Sequence, residues 1–116
     1  MTCNAFNHQV KTITGHTICN LFIANTWWLR LRGLLGRTLK ENDGLLITPC
    51  NSVHMFGMRY AIDVVYLNKQ NTVIKIVKNL RPWQFSACGK AYKVIELSTK
   101  NNNTQTLKVG DNLIIE

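Results

Sequence analysis

Five side chains able to do chemistry fall within nineteen residues of this chain. Cys50, Ser52, His54, Arg59 and Asp63 lie in PCNSVHMFGMRYAIDVVYL, residues 49–67, a run that otherwise has the composition of β-strand. A histidine flanked by apolar residues offers a neutral imidazole for proton transfer or ligand hydrogen bonding. A carboxylate on an apolar strand needs a partner or a proton, because an unpaired buried charge costs several kcal/mol. An arginine supplies such a partner in bidentate form.

The strand period sorts these residues. With residues 52–59 extended, Ser52, His54, Phe56 and Met58 share one face, and Val53, Met55, Gly57 and Arg59 the other. Two readings of His54 stay open: a base or ligand contact, or a core histidine bonded to a backbone carbonyl. In the next strand Ile62, Val64 and Tyr66 face one way, and Ala61, Asp63, Val65 and Leu67 the other. Asp63 reads as the sole acid on an apolar strand. Its expected partner is Arg59 or an arginine near residues 30–37, either as a structural pair or as the anchor of a polar cleft.

A second group lies upstream in RLRGLLGR, residues 30–37. Arg30 and Arg37, seven apart, fall along one side of a helix, and Arg32 points elsewhere. Arginines beside glycines, where backbone can approach closely, suit a carboxylate or phosphate; the same arginines could instead snorkel or pair with Asp43 and Asp63. Metal chemistry is disfavoured. Cys50 and His54 span about 13 Å on a strand, too far to share a zinc ion. The four cysteines form no Cys-x-x-Cys pair and read as reduced and structural. No phosphate loop, dinucleotide fingerprint or hydrolase elbow is present, and no cofactor or metal is expected.

The elements that must position these residues are mainly strands. Segments 10–14 and 18–24 flank Gly15-His16 as a hairpin. Asn25-Thr26 offers an N-cap for a short helix over 27–35, whose Trp27, Leu31, Leu34 and Leu35 recur at helical spacing. Strands are expected at 44–48, 52–59, 62–67, 72–77 and 92–97, with a four-residue hairpin loop at 68–71. Residues 81–90 read as a loop and 98–104 as a mobile polar turn. Segments 107–109 and 113–115, joined at Gly110-Asp111, read as a final pairing. The expectation is therefore one domain over residues 1–116, of α+β class. It is a mostly antiparallel sheet closing toward a small barrel, with one short helix covering an opening.

Composition limits partners more than function. Fourteen basic against six acidic residues give a net charge of +8, which favours anionic partners. Phe56, Tyr60, Tyr66 and Trp83 lie among basic residues, a mixture that single-strand nucleic-acid binders use, although no helix-turn-helix or RNA-recognition motif is legible. The polar start MTCNAFNHQVKT lacks a signal-peptide centre, so a soluble, cytoplasmic monomer is the default, or an exported protein if a leader has been removed.

The order RLRGLLGR, then GLLITPCNSVHMFGMRYAIDVVYLN, then a late VGD resembles the prokaryotic "domain of unknown function 192" family, from about Trp27 to Leu113. The resemblance rests on Arg32-Gly33, Arg37, Met58-Arg59, Asp63 and Gly110-Asp111. The chain departs at Gly57, where the family usually has a bulky residue. The resemblance implies a compact, mainly β fold and no particular activity, and some members carry export signals or lipoprotein leaders. Together with the residues, it leads to the expectation of a non-enzymatic module that binds a small polar or anionic ligand through Arg32, Arg37, His54, Arg59 and Asp63 in a cleft at the helix–sheet junction. The alternatives are a hydrolase-like or isomerase-like enzyme with His54 as base and Asp63 orienting it, and a basic nucleic-acid-binding module.

Overall fold

Runs of β-branched and aromatic residues broken by Gly, Asn and Pro make strands and tight turns, and nine strands result among the described residues. The computed structural model describes residues 7–26 and 39–116. The helix expected over 27–35, with Arg32 and Arg37, lies outside the described residues. The strands are β1 (His8–Thr12), β2 (Thr17–Ala24), β3 (Asp43–Ile47), β4 (Ser52–His54), β5 (Ile62–Leu67), β6 (Val73–Leu80), β7 (Phe85–Ala87), β8 (Lys93–Ser98) and β9 (Leu113–Ile115). The helical structure among the described residues is one 3-10 turn, Asn102–Thr106.

Seven strands form one sheet in the order β6-β5-β8-β3-β2-β1-β9, and β4 pairs with β7 in a separate two-stranded ladder. All pairings are antiparallel except β2 with β3. A parallel pair cannot be joined by a tight turn and needs a crossover; here residues 25–42 connect the two strands. The large sheet curls into a half-barrel until its two outermost strands meet. Thr72, at the start of β6, bridges Asn112, at the start of β9. Val73 N donates to Asp111 O and Gly110 N to Val73 O, both at 2.8 Å. This contact covers backbone groups that an open sheet would leave exposed at its edges.

The period-2 reading of β5 holds. Val65 and Leu67 pack into one apolar cluster with Val10, Ile18, Leu46 and Ile95, while Ile62, Val64 and Tyr66 pack into a second with Ala24, Leu45, Ile47 and Val94. β5 is buried at all six positions. Core and sheet approach closely at Gly44, where a Cβ would stand 2.8 Å from Cys19 Sγ and 3.1 Å from Leu97 Cδ2. The Cys19 thiol, buried there beside the Asp43 carboxylate, is pushed up to about 12 and is inert.

Four local expectations are corrected. The strand over 52–59 stops at His54, because Gly57 turns the chain at φ 78°. The expected loop at 81–90 contains β7, which pairs with β4 through Ser52↔Ala87 and His54↔Phe85. β9 pairs with β1 instead of 107–109, matching Val10 to Ile115. The polar turn at 98–104 is anchored: Asn101 is buried, accepts from Asn103 N and Thr104 N, and donates to Ile18 O at 3.1 Å. A buried asparagine that satisfies both its acceptor and its donors behaves as a clamp.

Candidate functional site

Pairing registers bring three chain segments together at one end of the sheet. Ile62 lies opposite Ser98 and Gly44 opposite Leu97, so the start of β5, the end of β8 and the start of β3 coincide. The residues just outside those strands line a groove of about 460 Å3. Lys40 and Glu41 come from before β3, Tyr60 and Ala61 from before β5, and Ser98, Thr99 and Lys100 from the end of β8. Its volume falls in the range of small-molecule sites, roughly 300–1,000 Å3. Two lysines, one glutamate and Tyr60 are among its lining residues.

Beneath the groove is a charge the sequence reading missed. Glu96 occupies the middle of β8, between Leu45 of β3 and Val64 of β5, and is only 6% exposed. No described cation forms an ion pair with it; the ion pair among the described residues is Lys11 with Glu116 at 2.7 Å, elsewhere on the sheet. Burial alone pushes the Glu96 carboxyl up to about 7. Tyr60 senses it: the phenol is held above its ordinary range first by burial and then by the Glu96 charge, against a backbone hydrogen bond from Leu39. Asp63 had been read as the sole acid on an apolar strand, yet VIELS contains the same signal in a strand that was identified.

The expected site residues have separate surroundings. Asp63 is buried, but its partner is backbone: Asn79 N donates to its Oδ1 at 2.8 Å. Asn79 holds φ 55° where the β5–β6 register shifts, so Asp63 stitches an irregularity in the sheet. Arg59, its expected partner, is exposed and forms no ion pair with it among the described residues. His54 is exposed and not a core histidine. Its ring lies 4.8 Å from that of Phe85 and 5.7 Å from that of Phe56, and no hydrogen bond joins it to Asp63. Arg32 and Arg37 lie outside the described residues. Tyr66 is fully buried and donates from its hydroxyl to Ser86 Oγ at 2.8 Å, tying β5 to β7. The Cys50 and Cys88 thiols, not joined to each other in a disulfide, lie near that hydroxyl, and Cys50 Sγ donates to Ser52 O at 3.1 Å. No group of three or more His, Cys, Asp or Glu among the described residues could hold a metal ion.

Residues 9–115 fit the model of DUF192, described as Uncharacterized ACR. The chain belongs to the DUF192 family. A UPF0127 protein from Thermococcus sibiricus is 34% identical over 98 residues, covering 78% of this chain; the match spans 62% of that relative's length. Two crystal structures share the DUF192 chain's fold. One, from Sinorhizobium meliloti 1021 and provisionally called a transcription regulator, superimposes with a TM-score of 0.77 at 19% identity, over 92% of this chain and 90% of that one. The other, a protein of unknown function from Novosphingobium aromaticivorans, gives 0.75 at 22% identity, over 92% and 82%. At these identities the structural likeness carries the fold alone. Among the described residues of this DUF192 chain no helix is long and apolar enough to cross a membrane.

Proposed function

We propose that this chain is a non-enzymatic binding module for a small polar, anionic ligand, held in the groove at the ends of β3, β5 and β8. The observation that carries the reading is the groove itself, with Lys40, Lys100 and Tyr60 among its lining residues. A carboxylate or phosphate would meet the two ammonium groups, while the phenol hydrogen-bonds it and the apolar Leu39 and Ala61 exclude water. Glu96 beneath the groove opposes a second negative charge when ionised, so the reading requires the cations to outweigh it. Arg32 and Arg37 precede Leu39 and are proposed as further cations. Arg59 is retained as a peripheral one. His54 and Asp63, which do not line the groove, are given no direct contact.

The test is thermal unfolding in phosphate and in chloride at equal ionic strength. A ligand that binds the folded state alone raises the Tm by mass action. Phosphate is expected to raise the Tm of the parent chain, and Lys100→Gln with Lys40→Gln to abolish the rise. No rise, or a rise that survives both substitutions, removes the groove from the reading.

A further inference from the structure

The β4–β7 ladder displays an aromatic row that neither the core nor the groove uses. Phe85, His54, Phe56 and Trp83 follow one another with ring centroids 4.8, 5.7 and 5.9 Å apart, tilted by 31–45°. Phe56 is 59% exposed, Phe85 55% and Trp83 68%. Trp83 also holds φ 69°, a left-handed backbone that costs a side-chain-bearing residue roughly 1–2 kcal/mol. A large apolar ring held in strain and left in water contributes little to stability, and such strain collects where function requires it.

The stretch of sequence that builds the row exposes charge of one sign. Between Asp43 and Glu96 the chain contains a single acid, Asp63, and that one is buried. The same interval contains Arg59, Lys69, Lys75, Lys78, Arg81, Lys90 and Lys93. The surface built by residues 44–95 therefore carries no exposed carboxylate. Lys75 Nζ donates to Ala87 O at 2.9 Å, which fixes an ammonium beside β7. Arg81 shares the turn that presents Trp83, with Gln84 N donating to Arg81 O.

We propose that the row His54–Phe56–Trp83–Phe85 is a stacking surface for single-stranded nucleic acid. Bases lie on the rings and phosphates meet Lys75 and Arg81. Successive rings separated by 5–6 Å suit bases strung on a flexible backbone, and stacking needs no particular base. An anionic bilayer fits less well. His54 stands inside the row, and inserting the row into lipid would strip water from its ring nitrogens without a partner. This surface is separate from the groove proposed above, so either proposal can fail without the other.

The test is fluorescence anisotropy with labelled oligo(dT) and oligo(U) of roughly 12 nucleotides, alongside sedimentation with phosphatidylserine-containing vesicles. Binding to at least one oligonucleotide is expected, weakening steadily between about 50 and 200 mM salt. Trp83→Ala and Phe56→Ala should each weaken it about 5- to 100-fold, Trp83→Phe should restore most of the loss, and Lys108→Gln, in the turn before β9 and outside the row, should change it less than about twofold. Far-ultraviolet circular dichroism checks that each variant is folded. Binding that weakens with salt but ignores both ring substitutions is charge attraction alone and overturns the stacking surface. Absence of oligonucleotide binding overturns it as well, and vesicle binding lost in Trp83→Ala would then assign the row to lipid.

Discussion

β5 and the β4–β7 ladder lie side by side, joined by the Tyr66–Ser86 hydrogen bond, yet they use apolar residues in opposite ways. β5 hides every side chain it has, including a carboxylate whose partner is a backbone amide. The ladder buries Val53 and Ser86 and turns Phe85 outward, and the turns beside it expose Phe56 and Trp83. Burying an apolar side chain is worth about 1.5–3 kcal/mol, so β5 is explained by stability and the ladder's rings are not. The contrast separates residues kept for the fold from residues available for contact.

The sharpest way to break that contrast is to truncate on each side of it. Leu67→Ala, in β5, should lower the unfolding free energy by about 2–5 kcal/mol in urea titration, through lost transfer energy and the cavity left behind. A cost below about 1 kcal/mol would mean that β5 is not a closed interior.

Next in size is Glu96, a buried carboxyl with no ion-pair partner among the described residues. Its folded carboxyl titrates near 7, above its unfolded value, so the fold favours the protonated form. Below an unfolded pKa of about 4.3 both states are protonated and nothing is lost; stability then declines as pH rises toward 7 and stays low above it. Glu96→Gln should therefore stabilise the protein by up to about 3 kcal/mol at pH 8.5 and by almost nothing at pH 4. An equal effect at both pH values would contradict the assignment of a buried carboxylate without an ion-pair partner among the described residues.

The smallest expected effect is at Trp83. Glycine relieves the left-handed strain but adds freedom to the unfolded chain, so Trp83→Gly should change unfolding free energy by less than about 0.5 kcal/mol. A loss comparable to that of Leu67→Ala would place the indole in the core and erase the contrast.

Local pattern made part of this legible. Alternation in IDVVYL assigned each β5 side chain to its correct face, and the Asn68–Asn71 turn was readable because Asn68 Oδ1 accepts from Gln70 N and Thr72 N, a local side-chain bond. The β1–β9 and β2–β3 pairings were not readable, since they join segments far apart in sequence and no turn announces them. Asp63 was recognised as needing a partner, but its bond to Asn79 depends on a register shift between strands. The lone acid of VIELS, Glu96, is legible in the sequence, but its burial depends on the pairing of β8 with both β3 and β5. The exposure of Phe56 and Trp83 could not be inferred from composition, because a ring in a short strand is equally compatible with core and surface.

The meeting of the sheet's edges also governs how the molecule comes to exist. Val10 pairs with Ile115, and Thr72 bridges Asn112, so the curl is completed only when opposite ends of the sequence find each other. Pairings this distant pay loop-closure entropy before contacts reward it, which places folding in the millisecond-to-second regime of non-local β proteins. Until that last closure, β6 and β9 are open strand templates, and the interval before they meet is when the chain is most exposed to joining another copy of itself.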